Sequence, residues 1–227
     1  MKRVVLSPNP YRDRGFRILR AAYALLRQSG VECVCALPFE SEQSPELPQE
    51  LPFAALEQAL PQAEALICFG GDGTILHCAR EATRCHVPIL GINVGNVGFM
   101  AELESGELEL IARLAADDYQ LEARMMLDVT VRRAGRSIFH DLALNDAVVT
   151  KGAVARVIAL SVSCDGVEMS SLSGDGVIVS TPTGSTAYSM SAGGPIVEPT
   201  AQNLLVTPIC AHALAARSFV LSGERNV

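Results

Sequence analysis

Apolar and polar positions follow two different rhythms along this chain. In the first hundred residues, short apolar runs exchange with amphipathic stretches. Residues 2–7 read as a strand. Residues 16–28 carry Ile18, Leu19, Ala22, Leu25 and Leu26 on one side of a helix that Gly30 closes. Residues 31–37 form a second strand, and residues 38–52, rich in Pro, Glu, Gln and Ser, an exposed loop. A helix over 53–60, a strand over 65–69, a helix over 75–84 and a strand over 88–93 follow. Strands alternating with helices predict a mainly parallel sheet with helices on its faces. Near Leu121 the rhythm changes. Residues 126–133 alternate as a strand, Gly135 turns the chain, and 137–150, 157–164 and 176–181 continue as extended segments with no long helix between them. The fold class expected is an α/β N-terminal domain over residues 1–122, followed by a mainly β C-terminal domain over 123–227.

Composition narrows the function. The chain has 227 residues, 49% of them hydrophobic and 19% charged, so a filled core is expected and disorder is not. A net charge of −7 leaves no basic stripe for nucleic acid, although a few backbone donors still hold a nucleotide phosphate in an acidic protein. The apolar run at the N-terminus is too short for a leader, and no stretch has the length of a membrane span, so a cytoplasmic location is expected. Cys33, Cys35, Cys68, Cys78 and Cys164 sit in apolar surroundings and read as buried thiols in a reducing compartment. His77, Cys78, Cys85 and His86 match no zinc spacing, and no metal ligands are assigned to the chain.

Four clusters carry candidate chemistry. Gly70-Gly71-Asp72-Gly73-Thr74 lies at a strand-to-helix turn, where backbone N–H groups and the helix dipole favour an anion. Asp72 is out of place in a pure phosphate cradle, because a carboxylate repels phosphate. Its presence calls for a base, a metal contact or a hydroxyl acceptor. The second cluster is the glycine-rich run over 91–99, whose spacing differs from the dinucleotide fingerprint. The third is the Asn145-Asp146 pair, which in isolation reads as an ordinary turn. The fourth runs from Ser173-Gly174-Asp175-Gly176 through 181–195 and packs hydroxyls, a tyrosine and glycines behind a strand, a density suited to a many-oxygened ligand.

These clusters, in this order, resemble those of the NAD kinases. GGDGT over 70–74 is shared with lipid kinases, whereas the run over 181–195, with Ser185-Thr186-Ala187-Tyr188 and Gly193-Gly194-Pro195, is much more specific. The resemblance implies phosphoryl transfer from ATP to the 2′-hydroxyl of the adenosine ribose of NAD, with a divalent cation, Mg²⁺, on the nucleotide phosphates. It implies Asp72 as the base. Gly70, Gly71 and Thr74 would hold phosphate, and Gly73 would admit the ligand closely. Phe99 would pack near the adenine. Asn145, Asp146, Thr186, Ala187, Tyr188 and Ser191 would hold the dinucleotide. Asp175 would reach one bound mainly by a neighbouring subunit, which implies a homodimer or homotetramer. A lipid or sphingoid kinase, or a nucleotide-binding protein of little activity, are the competing readings. Family members carry several tens of residues beyond the segment Pro208-Ile209-Cys210-Ala211-His212, so the β domain is expected to be incomplete at its C-terminal end, as a fragment or a minimal form.

Overall fold

The computed structural model describes residues 1–39, 46–95, 98–152, 156–212 and 217–227. The chain divides into two units, Met1–Leu121 and Glu122–Val227. In the first unit the elements run β1 Arg3–Pro8, α1 Arg17–Gln28, β2 Glu32–Cys35, α2 Leu56–Ala59, β3 Ala65–Gly70, α3 Asp72–Arg84, β4 Ile89–Asn93, β5 Leu103–Glu104 and α4 Ala112–Ala115. The five strands form one sheet in the order β2-β1-β3-β4-β5, and every pairing is parallel.

Side-chain alternation explains the layering. Val4 and Leu6 of β1 and Ile67 and Phe69 of β3 point to one face, where Leu19, Ala22 and Leu26 of α1 cover them. Val5, Leu66 and Cys68 point to the other face, against Ile75, Cys78 and Ala82 of α3. This is why β3 reads as an unbroken apolar run: a central parallel strand is buried on both faces. The chain passes from β1 to β2 on one side and returns to β3 on the other. The strand order therefore reverses between β1 and β3, and their carboxyl ends, paired at Pro8 and Phe69, mark the switch point at which such sheets hold ligands.

The second unit is antiparallel. β8 Asp146–Thr150, β11 Gly176–Ser180, β12 Asn203–Ile209 and β13 Phe219–Ser222 make a sheet in the order β13-β12-β11-β8. β6 Leu127–Arg133 pairs with β7 Arg136–Ala143, and β9 Ile158–Cys164 with β10 Val167–Gly174, as two hairpins. Their turns place Ala134-Gly135 and Asp165-Gly166 at positive φ, the geometry that suits the right-handed strand twist. The single α-helix among the described residues of this unit is α5, Tyr188–Ser191. Val162, Val177 and Val206 form its small core.

The α/β-then-β class is the one expected, with local corrections. α3 begins at Asp72 rather than at residue 75, so Asp72, Gly73 and Thr74 are its first turn. The helix over 53–60 shrinks to α2 plus a 3₁₀ turn, because Phe53 pairs as an isolated bridge with Cys35. Leu51 departs from the exposed loop and is buried in the core, while residues 40–45 of that loop lie outside the described residues. The extended run over 137–150 is broken at Leu144-Asn145. Cys33, Cys35, Cys68 and Cys78 are buried, but Cys164 is half-exposed at a hairpin end. Burial pushes the Cys33 thiol up to about 11 and Cys35 to about 12, so both stay protonated and inert. Among the described residues, no helix is long and apolar enough to cross a membrane.

Candidate functional site

The first group of candidate residues gathers at the carboxyl end of β3. Phe69 accepts the Asn9 N–H at 2.8 Å, and Gly70 accepts the Val94 N–H at 3.0 Å, which ties the ends of β1, β3 and β4 together. The chain then turns sharply. Gly70 has no room for a side chain, since a Cβ would lie 2.8 Å from Thr74 Cβ and 3.1 Å from Asn9 Cβ. Thr74 is buried, and its Oγ1 accepts Asn9 Nδ2 at 3.0 Å. Its hydroxyl therefore faces the strand end and anchors the turn from behind. Asn9, unread in the sequence, is the residue that holds it; an Asn-Pro step at a strand end was the available signal. By contrast, a Cβ placed on Gly71 or Gly73 would meet no atom of the described residues within 4 Å beyond its own chain neighbours and helix backbone, so these two glycines face open space among the described residues.

Asp72 occupies the first turn of α3, where a carboxylate suits the helix dipole. Its Oδ2 accepts the Phe99 N–H at 3.0 Å and its Oδ1 the Met100 N–H at 3.1 Å. Each oxygen keeps a further lone pair for another donor. Phe99, held by its backbone, is 66% exposed. Asn96 and Val97 of the glycine-rich run lie outside the described residues.

The second group lies in the antiparallel unit, around the exit from β11. Asp146 pairs with Ser180 in register, and Thr181 N–H continues the contact to the Asn145 carbonyl at 2.9 Å. The Thr181 hydroxyl donates to the Leu144 carbonyl at 2.6 Å and accepts the Gly184 N–H at 3.0 Å. This clamp binds the Leu144-Asn145 break to the turn over Thr183–Thr186. Two buried oxygens here have no hydrogen-bond partner among the described residues: Asn145 Oδ1 and Thr183 Oγ1. Unpaired buried acceptors are costly, so a polar ligand at this spot has a physical reason to bind. Burial raises the Asp146 carboxyl above its ordinary value.

The hydroxyl-rich run divides by face. Ser185 exchanges hydrogen bonds with Val197, donating to its carbonyl at 3.2 Å and accepting its N–H at 3.1 Å. Ser189 Oγ meets Thr207 Oγ1 at 2.9 Å inside the unit. The inward hydroxyls thus serve the fold rather than a ligand, which revises the reading of the whole run as ligand-facing. Thr186 and Ala187 are half-buried, while Tyr188 and Ser191 are exposed three residues apart on one side of α5. Asp175 stands between β10 and β11, flanked by Gly174 and Gly176, where side chains would strike neighbouring backbone. Its carboxylate pairs with Lys151 Nζ at 2.7 Å, a partner that sequence spacing did not reveal.

Two family models cover most of the chain: the ATP-NAD kinase N-terminal domain matches residues 24–119 and the ATP-NAD kinase C-terminal domain residues 144–227. A protein of Lachnospira eligens called NAD kinase is 36% identical over 100% of this chain and 76% of its own length. The chain belongs to the NAD kinase family. Another relative with that name, from Symbiobacterium thermophilum, is 49% identical over 72% of this chain and 58% of its own length. Among solved structures, yeast NADH kinase complexed with NADH superposes with a TM-score of 0.86 at 26% identity, covering 99% of this chain and 70% of that one. An Archaeoglobus fulgidus NAD kinase in complex with ATP gives 0.74 at 28% identity, covering 98% and 78%. These relatives carry the names NAD kinase or NADH kinase, and the lipid-kinase and weak-binder readings gain no support from them. Among the described residues, no group of three or more His, Cys, Asp or Glu is placed to hold a metal ion.

Proposed function

We propose that this chain acts as an NAD kinase through Asp72 as the general base, moving the γ-phosphoryl group of ATP to the 2′-hydroxyl of the adenosine ribose of NAD. The ribose oxygen gives its proton to Asp72 as it bonds to the γ-phosphorus. The bond from that phosphorus to the β–γ bridging oxygen breaks, its electron pair leaves on ADP, and NADP is the second product. Asp72 then passes the proton to water. Such proton removal is worth about 10²–10⁴-fold in rate. The observation that carries this reading is the carboxylate of Asp72, aimed by two backbone amides at the switch point of a parallel sheet, beside two glycines that face open space.

Local geometry and the family likeness together support the remaining roles. Phosphate meets the backbone at Gly71 and Gly73, with Gly70 and Thr74 holding the turn. The exposed ring of Phe99 offers a surface for adenine. Asn145 and Asp146 take ribose and base-edge hydrogen bonds, and Thr186, Ala187, Tyr188 and Ser191 complete the dinucleotide surface. Asp175 serves a dinucleotide shared with a second copy, in a cytoplasmic homodimer or homotetramer. The phosphates of ATP would hold a divalent cation, Mg²⁺, which would offset their charge. The test is direct. The purified chain is incubated with ATP, Mg²⁺ and NAD, and NADP is measured. Absence of NADP from a folded, NAD-binding chain would overturn the assignment. Sedimentation with and without NAD tests the oligomer.

A further inference from the structure

We propose that Gly98 is a positioning residue for Asp72: its missing side chain lets the Phe99 and Met100 amides grip the carboxylate and aim it. This rests on reading Asp72 as the base. A Cβ on Gly98 would lie 3.0 Å from Asp72 Cγ and nearer still to Oδ1, so the glycine and the grip are two sides of one contact. Gly98 is not among the glycines found at positive φ, so no left-handed backbone is found to oppose alanine there.

An alanine at 98 has two ways to relieve the contact. The segment carrying it resists moving. Glu102 N–H donates to the Gly91 carbonyl at 3.0 Å. β4 and β5 pair through Ile92 with Leu103 and Asn93 with Glu104, and Asn93 Nδ2 reaches both Glu104 oxygens at 3.1 Å. Gly91 in turn is packed so that a Cβ there would sit 3.0 Å from Ala101 Cα. The Asp72 carboxylate, the end of a short side chain with two rotatable bonds, is the part that yields. Turning it breaks both amide contacts and misdirects the base, while the fold is kept.

The experiment compares Gly98→Ala, Asp72→Asn and the double variant, with Gly106→Ala as a control, since Gly106 has neither positive φ nor any neighbour within 4 Å of its added Cβ. In Gly98→Ala, kcat falls by about tenfold or more, within the range a general base supplies. KM for NAD and for ATP stays within about twofold, as expected when only transition-state stabilisation is lost. The melting temperature stays near that of the parent. In the double variant, Gly98→Ala adds no further loss, because it acts through a carboxylate already gone. Normal turnover in Gly98→Ala beside a dead Asp72→Asn overturns the positioning role alone. So does a full second loss in the double variant, or a collapsed melting transition, because the argument requires the carboxylate and not the backbone to give way. An active Asp72→Asn instead removes the reading of Asp72 as base.

Discussion

Gly184 lies directly against the backbone of Asn145: a Cβ added to Gly184 would fall 2.5 Å from the Asn145 carbonyl carbon and 2.7 Å from its Cα. Unlike the contact at Gly98, this one meets main chain on both sides, and neither side can swing away. Gly184→Ala is expected to destabilise the chain by about 1–3 kcal/mol through overpacking. Gly106→Ala, in open space, is expected to be neutral or stabilising by about 0.4–1 kcal/mol. Urea unfolding of the two variants against the parent measures both, and equal midpoints would remove the close approach as a structural necessity.

Asp72→Asn keeps size and removes the proton acceptor. Turnover should fall by about 10²-fold or more while NAD binding changes little. Steady-state kinetics with titration calorimetry separates the two quantities. Near-normal turnover would take Asp72 out of the catalytic step.

Thr183→Val and Asn145→Ala each delete a buried oxygen that has no partner among the described residues. Removing an unpaired polar atom does not cost the fold a hydrogen bond, so Thr183→Val should melt at or above the parent temperature. Asn145→Ala should weaken NAD binding by about 1–3 kcal/mol, the cost of leaving buried ligand groups unpaired. ATP binding should suffer less. Equal loss for both nucleotides in calorimetry would argue for general disruption instead.

The Asp146 carboxyl is raised on folding by burial. The native state therefore holds its proton more tightly than the unfolded chain, and its ionisation costs stability as pH rises from the ordinary value of 3.8 through the raised native value. Asp146→Asn should be more stable than the parent above that window and equal to it below. Denaturation from acidic to neutral pH tests the sign. A variant that loses stability selectively at neutral pH would show that the carboxylate is favoured in the fold.

The alternation of apolar runs with amphipathic stretches was enough to specify a parallel α/β unit, since each such stretch has a single face to bury. The spacing of Gly70 to Thr74 behind an apolar strand likewise placed a turn before a helix, and the run over 181–195 carried the family. Patterning did not place the first residue of α3. The turn propensity of Gly71 and Gly73 argued for a later start, whereas tertiary contacts from Asn9 and the 98–100 segment draw Asp72 into the first helical turn. Nor did hydroxyl density tell ligand-facing groups from structural ones. Ser185 and Ser189 spend their oxygens on Val197 and Thr207, residues 12 and 18 positions away, and only the packed sheet brings those partners near. Periodicity is a local property, and so the sequence alone determined the main strands and helices of the first unit, though not their ends or every strand of the second. Partnership across long separations depends on strand order and close approach. The grip on Asp72, the Lys151–Asp175 pair and the unpaired oxygens of Asn145 and Thr183 were therefore decided only by the tertiary structure.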